Sequence, residues 1–159
     1  MAGNASRNKG ANAEREVINM LQPIVDKVYA GSGLKSPLLE RNTLQCNKGG
    51  SDVAGLPWLA LEIKRQETEN LNKWWEQTVL STQLGQYGVL IHRGNRGKWK
   101  VRMHGALLSK DQIFQTVVDI NLDSFLVWFQ SMVENELTEL LTKHGMQPKV
   151  DWPPAPPKD

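Results

Sequence analysis

Cysteine and long apolar runs are both scarce in this chain of 159 residues. The single cysteine, Cys46, has no partner for an internal disulfide, which fits a reducing compartment and excludes a zinc site built on several cysteines. No stretch of 18 apolar residues is present, so we expect no membrane-spanning segment. The opening residues, MAGNASRNKG, lack the apolar core of a secretory signal. These absences predict a cytoplasmic, intracellular protein without a membrane partner.

Acidic residues are missing between Glu76 and Asp111, although the chain as a whole carries a net charge of only +2. The excess of basic residues lies within residues 1–110, whereas residues 111–159 are acidic. A one-sided basic block is typical of a surface that binds a polyanion, and a solvated hairpin is the alternative. The block contains six basic residues: Arg93, Arg96, Lys98, Lys100, Arg102 and Lys110.

The composition otherwise predicts one folded domain. Apolar residues make up 40% of the chain and include six tryptophans, which is enough for a packed core at this length. Residues 1–9 are small, polar and basic, and predict a flexible arm. Residues 10–145 form the predicted domain, and residues 146–159 form a proline-rich, extended tail that could dock a partner.

Residues 59–64, Leu-Ala-Leu-Glu-Ile-Lys, have the length and apolar content of a buried strand. Side chains alternate along a strand, so Glu62 and Lys64 point to one face, about 6.6 Å apart along the backbone. A short strand at residues 52–54 precedes them, and residues 55–58 form a turn. The resulting hairpin brings Asp52 beside Glu62.

Two adjacent carboxylates raise each other's pKa unless a cation lies between them. Mg²⁺ prefers oxygen ligands and often takes one or two carboxylates together with water and phosphate oxygens. A nearby lysine can orient an attacking water or offset charge that develops on a phosphate. The trio of Asp52, Glu62 and Lys64 therefore indicates phosphodiester hydrolysis, and a surface salt bridge on a hairpin is the alternative.

A third carboxylate lies on the first predicted helix, which begins near Lys9 or Gly10 and runs to about Leu21, with Pro23 near its end. Its apolar stripe is spaced by three and four residues, and Glu14 falls on that same face. A buried carboxylate needs a partner. The alternative is a favourable interaction with the helix dipole in the first turn.

The remaining pattern alternates strands and helices and predicts an α/β protein. A strand at residues 28–30 leads into a mobile Gly/Ser loop at residues 31–38. A helix from about Asn70 to Leu84 places Gln77 on the inward face with Trp74, Leu80 and Leu84. Strands follow at residues 87–92 and 98–103, and the second of these has a basic outer face. The last predicted helix runs from Leu122 to Lys143, with its stripe at Leu126, Phe129, Val133, Leu137, Leu140 and His144.

The arrangement of Asp52, Glu62 and Lys64 resembles the PD-(D/E)xK nuclease superfamily, with Ser51 in place of the proline. The segment Lys9-Gly10-Ala11-Asn12-Ala13-Glu14-Arg15 resembles the opening motif of archaeal-type and viral Holliday-junction resolvases, a branch of that superfamily. The order of helix, serine loop, aspartate hairpin, E-x-K strand and glutamine helix agrees from about Lys9 to Gln77.

This resemblance implies a restriction-endonuclease-like fold, with a mixed central β-sheet flanked by helices, and cleavage of branched DNA by a homodimer. It implies a Mg²⁺ site, with Mn²⁺ as a substitute, held by Asp52, Glu62 and Glu14, with Lys64 catalytic and Ser32 and Gln77 in support. A phage origin would place the protein in the host cytoplasm. The alternatives are a flap, single-strand or site-specific nuclease and a non-cleaving nucleic-acid-binding module. The expected DNA contacts are Lys9, Arg15, Arg93, Arg96, Lys98, Lys100 and Arg102.

Overall fold

The computed structural model describes residues 2–43, 50–109 and 112–146, so Cys46, Lys110 and residues 147–159 of the tail lie outside it. Its three helices are α1 (Ala2–Tyr29), α2 (Leu71–Ser81) and α3 (Leu122–Lys143). Its strands are β1 (Glu40–Arg41), β2 (Val53–Ala54), β3 (Leu59–Arg65), β4 (Tyr87–Arg93), β5 (Lys100–Ser109) and β6 (Gln112–Asn121).

Four strands form the central sheet in the order β3-β4-β5-β6, and β1 and β2 form a separate antiparallel pair. Strands β3 and β4 are parallel, with α2 as the crossover between them, whereas β4, β5 and β6 are antiparallel neighbours. The predicted α/β class and mixed, helix-flanked sheet are therefore confirmed. No helix among the described residues is long and apolar enough to cross a bilayer.

The main core lies between the sheet and the pair α1 and α3. Helix α1 contributes Val17, Leu21 and Val25, and α3 contributes Phe125 and Phe129, all of them at most 1% exposed. Strand β3 adds Leu61 and Ile63 to this side. Since side chains alternate along a strand, Glu62 and Lys64 point to the other face, as predicted.

The first helix is longer than predicted at both ends. It begins at Ala2, so the predicted flexible arm is wrong for residues 2–9, and it continues through Pro23 to Tyr29, which replaces the predicted strand at residues 28–30. The buried stripe explains the extension, because it repeats every four residues at Val17, Leu21, Val25 and Tyr29. Pro23 lies on the exposed side of this stripe.

Helix α2 turns a different face inward from the predicted one. Its buried residues are Trp74 and Thr78, whereas Gln77, Leu80 and Leu84 are exposed, so the predicted inward face is confirmed for Trp74 and wrong for the other three residues. The Thr78 hydroxyl donates to the Trp74 carbonyl oxygen at 2.9 Å, which satisfies this polar group inside the protein. The helix ends at Ser81, and Leu84 lies in the turn beyond it.

The last third of the described chain departs from the prediction at two strands. Strand β5 continues to Ser109, and β6 occupies residues for which no element is predicted. Helix α3 has the predicted bounds and ends before Gly145, whose φ of +67° suits glycine. Within the predicted stripe, Phe129, Val133 and Leu137 are buried, Leu126 and Leu140 are half-buried and His144 is exposed.

Candidate active site

Asp52 is held against the edge of the central sheet by two hydrogen bonds. Its backbone nitrogen donates to the Leu61 carbonyl oxygen at 2.6 Å, and its Oδ2 accepts from the Ile63 nitrogen at 2.5 Å. These two contacts flank Glu62 on β3. The predicted approach of Asp52 to Glu62 is therefore confirmed, although the strand that follows Asp52 pairs with β1.

Ser51 stands where the nuclease motif that this segment resembles has proline. Its Oγ accepts from the Leu61 nitrogen at 2.9 Å and from the Val53 nitrogen at 3.3 Å, and it donates to the Val53 carbonyl oxygen at 2.7 Å. One hydroxyl thus joins the Asp52 segment to β3. Proline has no side-chain donor or acceptor and could not make this connection.

The turn after β2 depends on glycine. Gly55 has a φ of +114°, and an added Cβ would lie 2.3 Å from the Leu38 carbonyl oxygen. That conformation disfavours L side chains, and the approach to backbone leaves no room for one. The hairpin that carries Asp52 therefore requires glycine at this position.

Glu62 and Lys64 form an ion pair on the same face of β3. The Glu62 side chain is 12% exposed and that of Lys64 is 25% exposed, so the pair lies at the boundary between the sheet and solvent. A carboxylate as deeply buried as Glu62 requires a compensating charge, and Lys64 provides it.

Glu14 of α1 is paired with Arg41 of β1, at 2.5 Å between Oε2 and Nε. Arg41 is brought to this position by the β1–β2 pairing, in which it lies opposite Val53, the residue after Asp52. Arg41 is not among the site residues predicted from the sequence. The signal in the sequence was an arginine beside an acid, Glu40-Arg41, upstream of the hairpin, and this dipeptide by itself does not indicate a partner.

The charges of these side chains act on one another. Burial, and secondly the charge of Glu62, raise the pKa of Asp52 from 3.8 to about 7. The Ile63 hydrogen bond opposes this rise, as does the charge of Lys64, and Glu14 adds to it. Asp52 therefore senses Glu62, Glu14 and Lys64 at once, although they come from different elements. A carboxylate that costs this much to ionise is one that a bound cation would stabilise.

The donor set fits a divalent cation in part. Asp52 and Glu62 provide two neighbouring carboxylates, which is a usual protein contribution to a Mg²⁺ site. Glu14 is occupied by Arg41 and Glu62 by Lys64. Within residues 2–43, 50–109 and 112–146, no three His, Cys, Asp or Glu side chains are grouped closely enough to hold a metal. A third carboxylate ligand would require Glu14 to leave Arg41.

The two predicted supporting residues are not seen in contact with these groups. Ser32 lies in the turn after α1, where its Oγ accepts from the Leu34 nitrogen at 3.1 Å. Gln77 is exposed on α2. The structure therefore shows ordinary turn chemistry for Ser32, and the roles of both residues in a site stay predictions.

The basic residues predicted to bind DNA fall into two groups, those bonded to carboxylates of the protein and those exposed to solvent. Arg93 donates to Glu16 at 2.6 Å and lies 4.3 Å above the centre of the Trp99 ring. Arg102 makes two hydrogen bonds of 2.7 Å to Asp119 on the neighbouring strand. Both arginines are thus engaged within the protein. The exposed members are Arg15, Arg96, Lys98 and Lys100, and Lys9 is half-buried.

Comparison with known proteins gives no family for this chain. No protein-family model matches the chain, and no curated protein matches it.

Proposed function

We propose that the protein is a Mg²⁺-dependent endonuclease that hydrolyses phosphodiester bonds in DNA. The observation that carries the proposal is the shared electrostatic environment of Asp52, Glu62, Glu14 and Lys64, in which the pKa of Asp52 is raised to about 7. These groups come from α1, the segment before β2, and β3. Carboxylates and a lysine gathered at one point are the groups that metal-assisted phosphodiester hydrolysis uses.

Asp52 and Glu62 would hold Mg²⁺, and Glu14 would complete or tune the site. The metal, when bound, would polarise the phosphate and make a bound water more acidic. Lys64 keeps its ammonium group at Glu62, from which it can orient the attacking water and offset charge on the phosphate. Arg41, released from Glu14, would supply a second positive charge for the same phosphate.

The substrate follows from the resemblance to Holliday-junction resolvases. We propose branched DNA, with a four-way junction as the preferred form and a homodimer making two coordinated cuts. A restriction-endonuclease-like fold is part of the same proposal, and the mixed sheet with its edge strand carrying Glu62 and Lys64 is compatible with it. Exposed Arg96, Lys98 and Lys100 would contact the phosphate backbone.

A non-cleaving DNA-binding module is the second candidate, and a specific observation favours it. Glu14 and Glu62 each already have a cation partner within the protein, Arg41 and Lys64. Charges satisfied in this way need no metal, and the basic surface would act alone. The two candidates differ in whether Mg²⁺ binds and whether DNA is cut.

The deciding experiment incubates the protein with labelled four-way junction, flap, single-stranded and linear duplex DNA, with Mg²⁺ and with chelator. Paired nicks confined to the junction support the resolvase. Cutting of flaps or single strands supports the Mg²⁺-dependent nuclease but rejects the four-way junction as its preferred substrate. Binding without a metal-dependent product on any of the four DNAs rejects the nuclease and leaves the binding module.

Metal binding has a readout that does not depend on activity. A ligand that binds only the folded state raises the free energy of unfolding, by about 2.7 kcal/mol at 100 times its dissociation constant. We expect Mg²⁺ to raise the melting temperature of the wild-type chain and to leave that of Glu62→Gln unchanged. An equal response of both proteins would place the metal elsewhere.

A further inference from the structure

Strand β6 forms one edge of the central sheet and lacks the features that usually protect an edge. Its ten residues include no lysine, arginine, proline or glycine, and they pair with β5 in an unbroken register from Ser109–Gln112 to Lys100–Asn121. Among the described residues, no strand lies on its outer side. Edge strands normally carry inward-pointing charges, proline or bulges, since their free backbone groups otherwise pair with another chain.

The same hairpin exposes large apolar side chains on both of its faces. On β6, Ile113 is 70% exposed, Phe114 51% and Val117 42%, and Leu107 of β5 is 59% exposed. Leu107 lies directly opposite Phe114 in the register. An apolar surface that combines free backbone groups with exposed side chains is typical of an interface rather than of a solvated strand.

The charge pattern of β6 suits a second copy of the same strand. Its one charged residue, Asp119, is neutralised by the two hydrogen bonds from Arg102 of the same chain. Pairing β6 with its own copy therefore brings no uncompensated like charges together. The paired edges also match by construction, because a two-fold axis makes identical antiparallel strands complementary in their backbone groups.

We propose that two copies of this chain associate through β6, antiparallel and with a two-fold axis near Val117, to form a continuous eight-stranded sheet. Val117 is close to the middle of the strand, so an axis there keeps nearly the whole of β6 paired. Val117 would face its own copy, and Thr116 would face Val118. Association buries the exposed Ile113 and Phe114 side chains in part and satisfies the free backbone groups of both edges.

The arrangement has a consequence for the proposed nuclease site, and this consequence alone rests on the proposed function. A two-fold axis perpendicular to the sheet puts both α2 layers on the same side. The β3 strands then lie seven strand spacings apart, which is about 30 Å after allowance for twist. Two active sites on one side of a dimer at that separation would reach two strands of one branched DNA.

The test measures the mass of the full chain by sedimentation over a range of concentrations, without DNA or metal. The wild-type chain is expected at twice its 17.9 kDa mass. Val117→Lys and Val117→Glu are each expected as monomers, because they put like charges opposite each other at the axis. An equimolar mixture of the two variants is expected to restore the dimer, since lysine then faces glutamate.

Val127→Lys is the matched control, because Val127 is 71% exposed on α3 rather than on β6. It is expected to remain a dimer. The proposal is overturned by a monomeric wild-type chain at all concentrations, by a Val117→Lys variant that still dimerises, or by a mixture that stays monomeric. Rescue by mixing also shows that the two variants are folded. A dimer without cleavage rejects only the nuclease, and a cutting monomer keeps the nuclease but rejects this interface and the proposed homodimer.

Discussion

The two edges of the central sheet are treated in opposite ways. At β3, the chain covers its own edge: Asp52 and Ser51 bond to the backbone of Leu61 and Ile63, and charged groups gather outside it. At β6, among the described residues, the edge has no such cover, and its exposed side chains include the apolar Ile113, Phe114 and Val117. One edge is covered and carries the charged groups, and the other is uncovered and exposes large apolar side chains.

The two edges carry different energetic costs: β3 bears a cost of ionisation, and β6 bears a cost of exposed apolar surface. Gathering carboxylates at β3 is unfavourable by itself, as the raised pKa of Asp52 shows, and backbone contacts of Asp52 together with the Glu14–Arg41 and Glu62–Lys64 ion pairs keep them in place. The β6 edge carries no such strain and leaves apolar surface in water. A site with strained ionisation suits metal chemistry, whereas an unstrained apolar edge suits association.

Removing one charge at the covered edge should abolish catalysis. We expect Glu62→Gln to lower the cleavage rate about 1000-fold, since the loss of one strongly preorganised charge in a site costs this much. DNA affinity should stay within about twofold, because the exposed lysines that bind the backbone are untouched. Cleavage of labelled junction DNA and a binding titration in chelator measure the two effects.

The matched control for this change is Glu139→Gln, an identical substitution at an exposed position of α3. It should leave cleavage unchanged. Full activity of Glu62→Gln, or loss of folding by circular dichroism, would contradict the assignment of Glu62 to the site.

The second prediction concerns pH. Folding raises the pKa of Asp52 from 3.8 to about 7, so between these pH values the folded state holds a proton that the unfolded state has lost. Its contribution to stability is present below pH 3.8 and is lost as pH rises through 7. Relative to Asp52→Asn, the wild-type free energy of unfolding should fall across this window by about 4 kcal/mol at most.

Urea unfolding at several pH values measures this difference. Asp26→Asn provides a contrast of opposite sign, because hydrogen bonds from Ser36 and Gln22 lower the pKa of Asp26. The wild-type protein should gain stability over Asp26→Asn as pH rises. Parallel pH profiles of the free energy of unfolding for the wild-type protein and Asp52→Asn would show that folding does not raise the pKa of Asp52.

The third prediction removes the hydroxyl that connects the Asp52 segment to β3. In Ser51→Ala, the backbone nitrogens of Leu61 and Val53 lose their acceptor, and we expect a loss of about 1–3 kcal/mol in the free energy of unfolding. Thr138→Ala, which removes an exposed hydroxyl on α3, should cost less than about 0.5 kcal/mol. Equal losses in the two variants would mean that the connection does not stabilise the edge.

The smallest effect is expected at the exposed basic residues. Lys98→Ala and Lys100→Ala should each weaken DNA binding a few-fold and reduce the slope of log affinity against log salt by about one. Lys143→Ala on α3 should leave the slope unchanged.

The fraction of the chain that is dimeric should not change with salt concentration, because the proposed β6 interface is apolar. A dimer that dissociates as salt rises would contradict the contrast between the two edges.

The core of the site was predictable because it is local. Glu62 and Lys64 share a face through strand alternation, and a short hairpin brings Asp52 beside them. The Glu14–Arg41 pair was only half predictable, since helix periodicity places Glu14 on the buried face but nothing in the sequence joins it to Arg41. Its formation depends on the β1–β2 pairing.

The errors arose where two patterns competed. In α1, buried apolar residues recur every four positions on both sides of Pro23, and their packing outweighs the effect of the proline. The helix therefore continues where an end was predicted. In α2, Trp74 and Thr78 define the inward face rather than the leucines, which turns Gln77 outward. Strand β6 was missed because both of its faces carry apolar residues, so no clear alternation marks it.

Helix α1 has one further consequence, for the order in which this protein folds. Glu14 bonds to Arg41 across 27 positions of sequence, and Glu16 bonds to Arg93 across 77 and to Trp99 across 83. Contacts of such long sequence separation are entropically costly to close and form late when they join distant parts of a chain. A chain growing from its N-terminus therefore makes α1 early but cannot engage Glu16 until β4 and β5 exist. The contacts that join Glu16 of α1 to Arg93 and Trp99 should therefore be among the last to form.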